Sequence, residues 1–130
     1  KHLKYFHGSG GGGIVTKGAI NLTRALEMYE NMDIFVLGHI HENWCRNDVR
    51  DVLKFNRGKR EYELEQKEIH HCIVGTYKEE YGDGSQGWHI ERGSPPKPTG
   101  GRIILFNVKR TSSKGVNTYN VLIDSIKFPL

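Results

Sequence analysis

The feature that most constrains this chain is an unbroken apolar run, Ile34–Leu37, which lacks the alternation of a half-exposed strand. Such a run is typical of a central strand that is covered on both faces. In the preceding segment, 21–31, the apolar residues fall at the spacing of one helix face: they are Leu22, Ala25, Leu26 and Tyr29. The alternating segment 1–6 predicts a further strand. Residues 1–41 therefore predict a βαβ unit, whose two strands are parallel and end at the same edge of a sheet.

After His41 the pattern becomes antiparallel, so residues 42–130 are predicted to form mostly antiparallel strands. Two hairpins are indicated by β-forming segments on either side of turn residues: 49–55 with 62–74, and 102–108 with 117–128. Between the hairpins, residues 82–101 hold six glycines and three prolines. This composition predicts a long loop, and long loops in compact domains are often functional.

These elements predict an α/β fold in a single domain, residues 1–130. The length suits one domain of about 100–150 residues, and Leu, Ile, Val and Phe supply 33 of the 130 residues, enough for a thin core. No apolar run approaches the ~20 residues of a membrane-spanning helix, so we expect no membrane partner. Cys45 and Cys72 lie 27 positions apart outside any C-x-x-C pattern. This spacing favours two reduced thiols and a cytoplasmic location.

Charge gives little indication of a polyanionic partner. The formal net charge is +4, from 19 basic and 15 acidic side chains. Because the basic residues are spread along the chain without a stripe, they favour a solvated surface over a nucleic-acid interface.

Three histidines stand out because they follow the two parallel strands. His7 follows the first strand, and His39 and His41 follow the second within Gly38-His39-Ile40-His41. The carboxyl ends of parallel strands share one edge, where open α/β sheets bind ligands. Imidazole is a common ligand of transition metals. The residues alone leave open a metal site and a chance pairing in a chain with seven histidines.

The order of these motifs resembles a known family. A strand ending in His7-Gly8, a helix, and an apolar strand ending in Gly38-His39-Ile40-His41 are similar to the carboxyl-terminal half of calcineurin-like metallophosphoesterases. Gly75-Thr76-Tyr77 resembles a Gly-Ser/Thr-Tyr that often follows in that half. The resemblance implies half of an α/β/β/α sandwich. It also implies that His7 and His39 bind one ion of a dinuclear centre, and that His41 binds the other.

The family's amino-terminal motifs, Asp-x-His, Gly-Asp-x-x-Asp and Gly-Asn-His-Asp/Glu, do not occur in these residues. We therefore expect this chain to be a carboxyl-terminal fragment whose missing amino-terminal half is encoded upstream. The implied enzyme is a hydrolase of phosphomonoesters or phosphodiesters with two divalent ions, Mn, Fe or Zn, that activate water and hold phosphoryl oxygens. The 130-residue chain alone is expected to be inactive.

Substrate contacts are predicted less directly. The glycine run after His7 fails the phosphate-loop pattern, although its exposed N–H groups suit a phosphate. Loops and flanking cations supply the other candidates. The predicted substrate-binding residues are Gly11, Gly12, Lys17, His89 and Lys97. His70 and His71 are adjacent in a strand and therefore point to opposite faces, so they cannot both bind one ion.

Two other interpretations remain open. The chain could be a non-catalytic module that binds nucleic acid or a nucleotide through its glycine loop and basic hairpin. Alternatively, it could be a relative that keeps the fold and has lost the chemistry. Steep salt dependence of nucleic-acid binding would favour the first of these.

Overall fold

The computed structural model of the chain describes residues 1–11, 13–77 and 88–129. The fold is mixed α/β, consists mostly of strands, and contains two sheets. The elements in chain order are β1 (Leu3–Phe6), α1 (Ala19–Met28), β2 (Ile34–Leu37), β3 (Trp44–Asn56), β4 (Glu61–Ile73), α2 (Trp88–Glu91), β5 (Gly101–Ser113) and β6 (Val116–Phe128).

The predicted βαβ unit is confirmed. β1 and β2 are parallel neighbours in a four-stranded sheet of order β1-β2-β4-β3, and α1 connects them. β2 is a buried interior strand over the predicted residues, with Ile34, Phe35 and Leu37 at most 2% exposed. The helix begins two residues before the predicted segment and ends three before its end, because the left-handed Gly18 (φ 88°) caps it at Ala19 and Tyr29 is already extended.

Both antiparallel hairpins are confirmed, and both are longer than predicted. β3 and β4 pair over thirteen residues each, as do β5 and β6 in the second sheet. The predicted loop 82–101 lies partly outside the described residues, since 82–87 are not described. Within it, the short helix α2 occupies Trp88–Glu91, so the described part is not loop throughout.

The core lies between α1 and one face of the four-stranded sheet. Leu22 and Ala25 of α1 are buried against Phe35, Leu37 and Ile73. The opposite face of β3 and β4 is reached by β6 through contacts that are described below. A helix and a two-stranded sheet therefore lie on opposite sides of one sheet. In the part of the chain that the structure describes, no helix is long and apolar enough to cross a membrane.

The cysteines differ from the expectation of two separate thiols. Cys45 and Cys72 form a disulfide, and neither is free. Their separation of 27 positions is closed by the β3–β4 hairpin, in which they are direct partners with Cα atoms 4.2 Å apart. The expectation was wrong because spacing along the chain does not show which residues the register places opposite each other.

Candidate functional site

The structure brings together two of the three strand-end histidines. His7 follows β1 and His39 follows β2, and the parallel register aligns Phe6 with Leu37 at the ends of these strands. His7 Nε2 lies 3.0 Å from His39 Nδ1. The two rings are close to perpendicular, with their centroids 5.0 Å apart and an interplanar angle of 78°. Both side chains are exposed, so the pair of nitrogens faces solvent at the carboxyl edge of the sheet.

Local backbone geometry sets this close approach. His39 and His41 have left-handed φ values of 62° and 57°, which are uncommon for residues other than glycine. Gly8 has a φ of 93°, and a Cβ atom there would lie 2.5 Å from Leu37 Cδ1. A Cβ atom on Gly38 would lie 3.2 Å from the backbone oxygen of His7. The glycines therefore allow two chain segments to approach at the point where the histidines meet.

His41 is not part of this pair. It is half-buried, and its side chain is not without a partner. Among the residues that the structure describes, one group of three possible metal ligands has all its ligand atoms within 4.8 Å of one another, and it does not include these histidines. Of the three predicted metal ligands, His7 and His39 thus form a close pair, and His41 does not belong to it.

The His7–His39 pair fits one transition-metal ion. Imidazole nitrogens bind such ions at about 2.0–2.1 Å, so two of them on neighbouring positions lie about 3.0–3.4 Å apart. The observed separation of 3.0 Å matches the lower end of that range. Without an ion, one neutral imidazole would donate a hydrogen bond from its N–H group to the nitrogen of the other ring. The two imidazole nitrogens and their spacing are therefore compatible with a bound metal ion. Two ligands alone leave most of the ion's coordination positions open.

An open cleft of about 360 Å³ is lined by His39 of the pair, whereas His7 does not line it. It is lined on one side by His39 and the glycine loop, including Gly10 and Gly11, and on the other by Arg92 and Lys97. The cleft thus combines a possible metal ligand, exposed backbone and two cationic side chains. Of these, Gly11 and Lys97 are predicted substrate-binding residues, whereas Arg92 is an addition from the structure.

The other predicted substrate-binding residues do not all line this cleft as available contacts. Lys97 Nζ lies 2.5 Å from Glu42 Oε1, and both side chains are largely buried, so this cation already has a partner. Lys17 lines a neighbouring cleft of about 500 Å³, together with Lys97 and Trp44. Gly12 lies outside the described residues. His89 lies in α2, where the structure describes its backbone and not its side chain.

A second cluster lies on the face of β3 and β4 that is opposite to α1. Cys45, His70 and Cys72 form the group of three possible ligands whose atoms lie within 4.8 Å of one another. Ser125 of β6 contacts all three side chains: its Oγ is 3.0 Å from His70 Nε2, 3.1 Å from Cys45 Sγ and 3.8 Å from Cys72 Sγ. These contacts hold β6 against the four-stranded sheet.

His70 and His71 point to opposite faces, as predicted. His70 faces β6, and burial lowers the pKa of its imidazole. His71 faces α1, is 1% exposed, and neither ring nitrogen has a hydrogen-bond partner among the described residues. Its Nδ1 lies 3.7 Å from Asp48 Oδ2. Burial lowers the pKa of His71 to about 4 despite this carboxylate, so both imidazoles are neutral at pH 7.

Comparisons with known proteins give no family assignment. No family model matches the chain, and no curated protein or solved structure matches it either.

Sequence reasoning missed Arg92 and the Cys45–His70–Cys72 cluster. Arg92 lies within the Gly/Pro-rich segment 82–101, whose path the sequence does not specify. The cluster had a detectable signal in the hairpin register, because the same ladder that pairs Phe55 with Tyr62 pairs Cys45 with Cys72.

Proposed function

We propose that this chain forms part of a metal-dependent phosphoesterase, which hydrolyses phosphomonoesters or phosphodiesters through a dinuclear centre. The observation that carries the proposal is the 3.0 Å approach of His7 Nε2 and His39 Nδ1 at the carboxyl edge of two parallel strands. The order His-Gly, helix, strand and Gly-His-x-His supports the same function through its resemblance to calcineurin-like enzymes. In this proposal His7 and His39 hold one ion and His41 serves the other.

The cleft beside the pair suits a phosphate ester. Glycine-loop backbone at Gly10 and Gly11 offers N–H groups to phosphoryl oxygens. Arg92 offers a planar guanidinium, which recognises phosphate in a bidentate manner. Lys97 is held by Glu42, so its part is to position the wall of the cleft. When bound, the ions would act as Lewis acids toward the phosphoryl group and lower the pKa of water.

The remaining ligands must come from other residues, because two imidazoles do not fill the coordination of an ion. β1 offers a place for them to join. It is an edge strand of the sheet, and its Leu3, Tyr5 and Phe6 are 47%, 75% and 40% exposed. An edge strand with exposed apolar side chains is a surface on which another polypeptide can add. We propose that the amino-terminal half of a calcineurin-like sandwich covers this edge and supplies the acidic ligands.

Metal binding by the 130-residue chain tests the proposal first. We expect Mn²⁺ to broaden the imidazole NMR signals of His7 and His39 before those of other histidines. His7→Ala and His39→Ala should each weaken Mn²⁺ binding about tenfold or more, a loss of at least 1.4 kcal/mol. His2→Ala is the matched control, since His2 is also exposed and its Nδ1 contacts the Asn31 carbonyl oxygen. Equal effects of all three substitutions would contradict the proposed site.

Hydrolysis is the second test. A polypeptide that joins this chain to the acidic motifs should cleave an aryl phosphodiester or phosphomonoester when Mn²⁺ is added. His39→Ala in that polypeptide should abolish the activity, and Arg92→Ala should mainly raise KM. Salt-sensitive nucleic-acid binding without hydrolysis would instead favour the binding-module interpretation.

A further inference from the structure

The Cys45–His70–Cys72 cluster is separate from the proposed phosphoesterase site and shares no residue with it. Cys45 and Cys72 are direct partners across β3 and β4, and His70 lies two residues before Cys72 on the same face. Cys72 is fully buried and His70 is 6% exposed. Two sulfur atoms and one imidazole nitrogen therefore converge on a single point between the four-stranded sheet and β6.

Hydrogen bonds fix the orientation of the His70 ring. Asn47 Nδ2 donates to Glu68 Oε1 at 2.5 Å, which directs the amide oxygen of Asn47 toward His70. His70 Nδ1 lies 2.5 Å from that oxygen, so Nδ1 carries the proton and donates it. Nε2 is then an acceptor, and it lies 3.0 Å from Ser125 Oγ and within 4.8 Å of both sulfur atoms. A ligand histidine typically has this arrangement, in which the other ring nitrogen donates to an oxygen.

We propose that Cys45, Cys72 and His70 form, in the reduced protein, a binding site for one thiophilic divalent ion of the Zn²⁺ class. Thiolate and imidazole ligands select such ions over Mg²⁺ or Ca²⁺. In a tetrahedral zinc site the ligand atoms lie about 3.4–3.8 Å apart, given Zn–S and Zn–N distances of about 2.3 and 2.0–2.1 Å. The present ligand atoms lie within 4.8 Å of one another, so opening the disulfide requires only small side-chain movements.

The disulfide and the metal complex are alternative states of the same two sulfur atoms. Thiol–disulfide exchange with a dithiol cleaves the Cys45–Cys72 bond in a two-electron reduction: two cysteine thiols form, and the dithiol becomes its own disulfide. Binding of Zn²⁺ then releases the two thiol protons, while neutral His70 donates its Nε2 lone pair without losing a proton. Oxidation of the two thiolates by a disulfide would expel the ion and restore the present state.

A small cavity of about 30 Å³ lies beside His70 of the cluster. Asn47 lines it on one side, and Val121 and Ile123 of β6 line it on the other. Its volume is close to that of one water molecule. Entry of an ion would therefore require a displacement of β6.

The test uses the whole 130-residue chain. The protein is reduced with a dithiol, desalted without oxygen, and titrated with Co²⁺ and then with Zn²⁺. We expect thiolate-to-metal absorption in the near ultraviolet that saturates at one equivalent of Co²⁺ per cysteine pair, and Zn²⁺ should abolish it by displacement. About two protons should be released per ion at a pH below the thiol pKa. The oxidised protein should show neither signal.

Three variants locate the site. His70→Ala should lose the tight binding, and Asn47→Ala should weaken it about 10–100-fold because the ring loses its orienting acceptor. The double variant His7→Ala/His39→Ala should keep the thiolate absorption in full. That control separates this inference from the proposed phosphoesterase site, since either can fail without the other.

A measurement on the unsubstituted chain covers the case in which a variant does not fold. Zn²⁺ should slow alkylation of both reduced cysteines at least about tenfold, and a chelator should restore the rate. The inference is overturned if the reduced chain shows no thiolate absorption, or if Zn²⁺ leaves the alkylation rate unchanged. It is also overturned if a folded His70→Ala variant binds Co²⁺ as tightly as the unsubstituted chain. Any of these results would leave the disulfide as a purely structural link.

Discussion

The chain holds two clusters of histidines in contrasting surroundings. His7 and His39 are exposed at the carboxyl edge of the parallel strands, with their nitrogens 3.0 Å apart. His70 and His71 lie inside β4, at 6% and 1% exposed. At the edge, water can solvate either protonation state of an imidazole. In the buried strand, by contrast, the fold must hold the rings neutral or supply a partner.

The exposed edge is therefore the place to test ligand binding, and the buried strand is the place to test contributions to stability. The exposed side chains of His7 and His39 can be replaced with little effect on folding, so ligand binding is the proposed reason for their placement. Residues of the buried strand contribute to folding directly, so a functional role there must be measured against a structural one.

The largest effect is expected from the disulfide of the buried strand. By chain entropy, a crosslink between residues 27 positions apart stabilises the fold by about 3.5 kcal/mol. Reduction by a dithiol in the presence of a chelator should lower the free energy of unfolding by that amount, as measured by urea denaturation. Cys45→Ser/Cys72→Ser should be equally destabilised and insensitive to the reductant. An unchanged denaturation midpoint after complete reduction would contradict a structural role for the bond.

Acid should destabilise the protein through His71. The unfolded chain protonates this residue near pH 6.5, whereas the folded protein does so only near pH 4. The unfolded state therefore binds more protons between these values, and stability falls as the pH falls from 6.5 to 4. The shift corresponds to a loss of up to about 3 kcal/mol. His70, whose pKa is also lowered by burial, adds to the loss in the same direction.

Denaturation curves across pH 4–7 measure this effect. His71→Leu removes the buried titrating ring at similar volume and should flatten most of the pH dependence. His7→Ala, which removes an exposed ring instead, is the comparison variant. If the two variants had equal pH profiles, burial of His71 would not be the cause.

Gly8→Ala tests how tightly the exposed edge is built. The added Cβ atom would lie 2.5 Å from Leu37 Cδ1, and the residue has a φ of 93°. Gly10→Ala is the matched control, because Gly10 has a φ of 82° and no atom within 4 Å of an added Cβ. Both variants share the left-handed strain, so Gly8→Ala should be the more destabilising by about 1–3 kcal/mol, the cost of overpacking. Thermal unfolding of the two variants gives the difference, and equal values would show that the His7 turn is free to relax.

Much of the fold could be predicted from local patterns. Ile34–Leu37 could be identified to the residue because its apolar side chains are continuous and three of the four are buried in an interior strand. The parallel β1 and β2 followed from that strand and the helix spacing, and with them the proximity of His7 and His39. These features depend on periodicity and chain topology, both of which the sequence shows directly.

The cluster on β3 and β4 was missed for a physical reason. The first strand of the predicted hairpin began at Val49, whereas the polar residues 46–48 also belong to β3 and have hydrogen-bond partners. Arg46, for example, contacts Asp48 at 2.8 Å and Thr23 of α1 at 3.0 Å. Extending the Phe55–Tyr62 pair by ten positions along the ladder reaches Cys45 and Cys72. The pairing of Cys45 with Cys72 could thus have been predicted from the hairpin register, but the length of the strands could not.

The position of His41 and the Lys97–Glu42 pair could not be predicted at all. Left-handed backbone at His39 and His41 changes the chain direction twice within three residues, and no local pattern indicates it. The Lys97–Glu42 contact joins residues 55 positions apart across loops. Both features depend on tertiary packing.

The smallest change in stability is expected for His39→Gly, and it bears most directly on the function of the exposed edge. His39 has a φ of 62°, so its side chain imposes left-handed strain of about 1–2 kcal/mol that glycine would relieve. Glycine also adds conformational freedom to the unfolded chain, which costs about 0.5–1 kcal/mol. The two contributions nearly cancel, and the free energy of unfolding should change by less than about 1 kcal/mol. Metal binding at the edge should nevertheless be lost, because the ring that lies 3.0 Å from His7 is gone. A variant that loses stability and keeps Mn²⁺ binding would reverse the assignment of this edge, making His39 a structural residue and the buried strand the better candidate for metal.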